Sequence, residues 1–162
     1  MKWISTSIIL LFVCSLSFGQ KQVPSVQLKT LKKQNVDIKK EIAKADYTVL
    51  SFWATWCAPC KRELNTIAED YADWQEKYNM QLIAVTIDDQ RMLSKVPGIV
   101  SSNWWEYIVL ADENSALRNA LNITSIPRTL LVDKEGNILY DHNGYKPGDE
   151  KELEMKLVEV NQ

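Results

Sequence analysis

The sequence predicts one α/β domain, a mixed central sheet with helices on both faces. Three observations carry that prediction. Two short runs, Tyr47–Trp53 and Gln81–Ile87, are rich in β-branched, aromatic and aliphatic residues and carry no charge, as strands covered on both faces do. Between them Leu64, Ile67, Ala68, Tyr71, Trp74 and Tyr78 recur at three- and four-residue steps among charged residues, which is the period of an amphipathic helix. Further on, Arg128–Asp133 and Asn137–Asp141 are strand-like runs joined through Lys134-Glu135-Gly136, a link short enough to make them an antiparallel hairpin.

Residues 1–19 form a separate object. Lys2 supplies one positive charge, an apolar run follows from Ile8 to Phe18, and Ser17 and Gly19 are spaced as a cleavage site. This segment reads as a secretory signal peptide, with an uncleaved membrane anchor as the alternative. Ser5, Thr6, Ser7, Ser15 and Ser17 dilute a run already short of the roughly 20 apolar residues that span a bilayer. Residues 20–162 then make a single domain, because no repeat or long linker divides them.

Within that domain Val26–Leu31 alternates like an edge or accessory strand, and Tyr47–Trp53 is a central one, with Trp56 at its end. The helix starts near Pro59, runs about five turns and closes at Asn79; strand, helix and the strand at Gln81–Ile87 make a right-handed parallel crossover. Asp88–Trp105 is harder to read. Arg91–Val96 is helical, Pro97-Gly98 interrupts it, and Ser101-Ser102-Asn103 reads as a loop. A strand near Tyr107–Leu110, a short helix over Ser115–Leu121, the hairpin and a final helix over Glu150–Val160 complete the chain.

Composition narrows the function classes. With 162 residues, 46% hydrophobic and 25% charged, the chain is of ordinary globular type, which excludes a disordered, collagenous or disulfide-dense protein. A net charge of −2 with bases and acids interspersed creates no basic field, which argues against nucleic acid as a partner. Of the three cysteines, Cys14 belongs to the leader, so Cys57 and Cys60 remain as one pair in a compartment that permits disulfides.

A CxxC pair suits redox chemistry where a strand ends and a helix begins. Pro59 fits the first helical turn, where its missing N–H costs little. The unpaired N–H groups and partial positive charge of that terminus stabilise a thiolate, which makes Cys57 the nucleophile. Cys60, one turn on, is placed to resolve a mixed disulfide. The competing readings are a zinc half-site and an inert structural disulfide. Zinc wants four ligands, and beyond this pair the chain offers one histidine, His142, on a distant strand. So short a loop constrains the unfolded chain little. His142 itself reads as a surface strand residue, and the Trp104-Trp105 pair as packing.

The segment Phe52-Trp-Ala-Thr-Trp-Cys-Ala-Pro-Cys-Lys61, followed by Glu63, resembles the active-site region of the thioredoxin superfamily, and within it exported thiol:disulfide oxidoreductases of the TlpA/ResA type. Ile126-Pro127 before a strand, Val132–Gly136 at the hairpin and Gly144 after the last strand fall in the family's order. The resemblance implies a thioredoxin fold, catalysis by Cys57, Cys60 and Glu63, a redox-active Cys57–Cys60 disulfide, and a substrate-binding surface of Trp56, Ala58, Pro59, Ile126 and Pro127. It implies a cis bond at Ile126-Pro127, which a sequence alone does not support, since X–Pro is cis in only about 5–6% of folded cases. It implies no cofactor, a periplasmic location, protein disulfide or dithiol substrates and a membrane-linked electron donor, with cytochrome c maturation as one pathway.

Two residues depart from the family pattern. Arg128 replaces the common Thr after the proline, adding positive charge near the groove that favours acidic partners. Ser51 stands where a strand Asp usually moves protons for the inner thiol, and Ser51 cannot be that base at neutral pH. Glu63 is then expected to be a partly buried carboxylate with a raised pKa, against the plainer alternative of a solvated helix residue. The rival functions are a redox-inert peptide-binding module and a thiol peroxidase.

Overall fold

The apolar runs become a seven-stranded mixed sheet in the computed structural model, which describes residues 21–162; the leader lies outside the described residues. The strands are β1 (Gln27–Thr30), β2 (Asn35–Asp37), β3 (Tyr47–Trp53), β4 (Met80–Thr86), β5 (Ile108–Ala111), β6 (Arg128–Asp133) and β7 (Ile138–Asn143). Their spatial order is β2-β1-β5-β4-β3-β6-β7. β3, β4 and β5 run parallel, and β6 and β7 continue antiparallel from β3, with Phe52 opposite Arg128 and Ser51 opposite Thr129. β1 is not an edge strand, because β2 covers it.

The helices are α1 (Ile38–Ile42), α2 (Ala58–Tyr78), α3 (Gln90–Leu93), α4 (Val96–Ser102), α5 (Ala116–Ala120) and α6 (Asp149–Val160). Alternation along the interior strands splits the core in two, as a pleated sheet requires. Val49 and Trp53 of β3, Leu82 and Ala84 of β4 and Leu131 of β6 pack with Leu64, Ile67 and Trp74 of α2 and Leu153 and Leu157 of α6. Leu50, Phe52, Ile83, Val85, Leu130 and Val132 face the other way, against Ile38 and Ile42 of α1 and Leu117 of α5.

Several boundaries differ from expectation for identifiable reasons. β3 ends at Trp53, so Trp56 lies in a turn beyond it and is 64% exposed. Pro97-Gly98 does not interrupt a helix: it lies in the first turn of α4, where proline lacks only an N–H that would be unpaired anyway. β2 and α1 went unseen because a three-residue strand passes directly into a five-residue helix capped by Asp37, whose Oδ1 accepts from the Lys39 and Lys40 amides. Asn79 closes α2 in the left-handed region at φ 45°, a conformation Asn tolerates better than most residues. No helix among the described residues is long and apolar enough to cross a membrane.

Candidate active site

The C-terminal end of β3 leads through a turn into α2, and Cys57 is the N-cap of that 21-residue helix. The Cys60 amide donates to Cys57 Sγ at 3.3 Å, so a backbone N–H at the positive end of the helix already faces the sulfur that must carry charge. The first turn of α2 contains no carboxylate to compete for that field. Cys57 and Cys60 are joined by a disulfide, with Cys57 4% exposed and Cys60 fully buried. The flanking Trp56 and the half-open Pro59 supply the surface around them.

The turn is held from the neighbouring strand end. Asp88, just past β4 and 1% exposed, accepts from the Thr55 amide at 2.8 Å, the Thr55 hydroxyl at 2.9 Å and the Thr86 hydroxyl at 2.6 Å. Charge-assisted bonds of this kind are stronger than neutral ones, so Asp88 fixes the entry into α2. On the opposite flank Ile126-Pro127 immediately precedes β6 and is cis. Because Arg128 pairs with Phe52, Pro127 lies beside the end of β3 from which Cys57 follows.

Glu63 is one turn beyond Cys60 and 4% exposed. Its side chain points at the sheet, where Thr129 donates to Oε1 at 2.6 Å and Ser51 makes a longer contact to Oε2 at 3.5 Å. Burial pushes the Glu63 carboxyl up to about 7; the Thr129 and Ser51 hydroxyls oppose this, and the charge of Asp149 adds to it. A carboxyl titrating near neutrality beside a dithiol is able to take and return a proton at physiological pH.

The Redoxin family profile matches residues 19–157. The chain belongs to the Redoxin family. Among curated relatives of this Redoxin chain, thiol-disulfide oxidoreductase ResA of Bacillus thuringiensis is 24% identical over 138 residues, covering 85% of this chain and 77% of the relative. Sporulation thiol-disulfide oxidoreductase A of Bacillus subtilis is 28% identical over 121 residues, covering 74% and 71%. Among solved structures, a thioredoxin-like protein of Porphyromonas gingivalis aligns with a TM-score of 0.75 at 41% identity, covering 86% of this chain and 91% of that one. The fold is thus a thioredoxin fold.

In this Redoxin domain the structure brings Cys57, Cys60, Glu63, Trp56, Ala58, Pro59, Ile126 and Pro127 to one end of the sheet. Arg128 is a correction. Its Nη2 donates to Asp141 at 2.8 Å, so its charge is neutralised across the β6–β7 pair rather than offered to the groove. The two neighbouring tryptophans divide: Trp105 packs edge-on to Trp53 and donates its indole N–H to Asn65 at 2.7 Å, while Trp104 is 83% exposed. Sequence reasoning missed Asp88 and Thr129. Asp88 fell in the least legible region, and Thr129 is identified only by the register that sets it opposite Ser51.

Proposed function

We propose that the protein is an exported thiol:disulfide oxidoreductase that reduces or exchanges disulfides of other proteins. The observation that carries this reading is the Cys57 sulfur capping a long helix, bonded to a buried Cys60 with Glu63 one turn behind. In the reduced protein the Cys57 thiolate attacks a substrate disulfide, forming a mixed disulfide and releasing one substrate thiolate. Cys60 then gives its proton to the Glu63 carboxylate, and its sulfur attacks Cys57 Sγ. The second substrate thiolate leaves, two electrons have passed to the substrate, and the Cys57–Cys60 disulfide is restored.

Trp56, Ala58, Pro59, Ile126 and Pro127 form the surface on which an extended substrate segment rests. Renewed turnover needs a dithiol donor; the leader read at residues 1–19 supports export to the periplasm, and a membrane-linked donor fits that location. Cytochrome c maturation is one pathway that fits. The names of the curated relatives support the reaction class.

Insulin reduction in the presence of dithiothreitol tests the reading. The wild-type protein accelerates it, C57S abolishes the acceleration, and C60S accumulates a mixed disulfide visible by mass. A wild-type rate equal to that of C57S sinks the proposal and leaves a redox-inert peptide binder.

A further inference from the structure

The polar contacts of Glu63 do not stop at the sheet surface. Ser51 pairs with Thr129 across β3 and β6, and Thr129 pairs with His142 across β6 and β7. Directly paired residues project from the same face, so the three form one row beneath α2. At the outer end of that row His142 Nε2 lies 3.0 Å from Oδ2 of Asp149, the first residue of α6. The Asp149 side chain is 8% exposed and that of His142 24%, so the row runs from a buried carboxyl towards solvent.

A crevice of about 10 Å³ separates Glu63 from this pair, lined by both together with Thr129 and Tyr140. That volume is close to the least that holds one water molecule; Ile67 and Leu153 make much of the wall apolar, and Glu63, Thr129, His142 and Asp149 supply the polar partners one water needs.

We propose that this crevice is the proton port of the dithiol site, in which one water links Glu63 to the His142–Asp149 pair. The proposal rests on the part given to Glu63 above. The proton that Glu63 takes from Cys60 passes to the water as one O–H bond breaks and another forms. The water returns a proton to the pair, which shares it along the Nε2–Oδ2 contact and releases it from the partly exposed imidazole. No electron moves in these steps. His142 and Asp149 are therefore positioning residues that act through Glu63. The ionisable groups around Glu63 are Cys60 on its own helix, Tyr107 before β5, Tyr140 and His142 on β7, Tyr145 beyond it, and Asp149, Glu150 and Glu152 on α6. Of these, His142 alone becomes positive on protonation. The negative charge of Asp149 already strengthens the hold of Glu63 on its proton.

Carbon-13 NMR titration of the Glu63 carboxyl in the reduced protein is the test, in wild type, H142Q and D149N. In wild type the Glu63 curve carries a second inflection as His142 changes charge, and H142Q removes it. D149N raises the acid dissociation constant of Glu63 about three- to thirtyfold, the effect of removing one nearby negative charge. H142Q keeps the test decisive if D149N fails to fold, since Asp149 also accepts the Lys146 amide at 2.9 Å. Superimposable curves in wild type and H142Q overturn the port. Coupled curves together with an E63Q variant that exchanges disulfides at the wild-type rate overturn it differently, by removing the role of Glu63 alone.

Discussion

Burial holds the Glu63 proton to about pH 7, whereas the unfolded chain releases it near the ordinary value of 4.5. Below that lower value both states are protonated and the group does not affect stability. Between the two values only the unfolded chain is ionised, so stability falls as pH rises, by roughly 3 kcal/mol in all, and is level again above 7. E63Q removes this penalty while its amide oxygen still accepts from Thr129. Urea unfolding at pH 8 should therefore show E63Q more stable than wild type by up to about 3 kcal/mol, with little difference at pH 4. A difference independent of pH would mean that Glu63 is not a strained buried acid. Glu63 was legible in the sequence through its spacing from Cys60 in a recognised segment. Thr129 and Asp149 were not, because each meets Glu63 across a sheet register or a helix packing that one sequence does not reveal.

At the level of elements, the site depends on where β3 and β4 end. Asp88 ties the turn after β3 to the end of β4 with three hydrogen bonds, all buried. Asp88→Ala leaves the Thr55 amide without its partner and should cost about 2–4 kcal/mol in denaturant unfolding. The same variant should slow alkylation of reduced Cys57 at pH 7, since the turn that aims the sulfur at the helix terminus loses its anchor. Unchanged alkylation would show that α2 alone orients Cys57. The long elements were legible because their patterns are long. The unread ones, β2 and α1, offer three and five residues, too few for a period to declare itself, and the Asp37 cap that joins them supplies what the pattern cannot.

Across the molecule, among the described residues, the sheet separates two cores, and only the one under α2 and α6 reaches the dithiol. Trp74 is 2% exposed in that core, 17 positions along α2 from Cys57, which is about 25 Å of helix. Trp74→Ala should lower stability by about 3–5 kcal/mol while Cys57 alkylation stays at the wild-type rate. A parallel fall in reactivity would mean that packing at the far end of α2 is transmitted to its first turn. The mixed sheet with two covered faces followed from the uncharged strands and the hairpin alone. The strand order did not, because β1 and β2 join the sheet beside β5, far from their neighbours in sequence.

Ser51 in place of a strand acid, with the buried carboxyl supplied instead by Glu63 on the helix, also changes what is portable. The proposed nucleophile, resolver and acid all fall within Cys57–Glu63, the N-cap and first two turns of one helix. Transplanting those seven residues onto another helix start would carry the reactive groups but not their tuning. The acidity of the third group belongs to Ser51, Thr129 and Asp149, scattered over three other elements, so the reagent is local in the chain and its calibration is not.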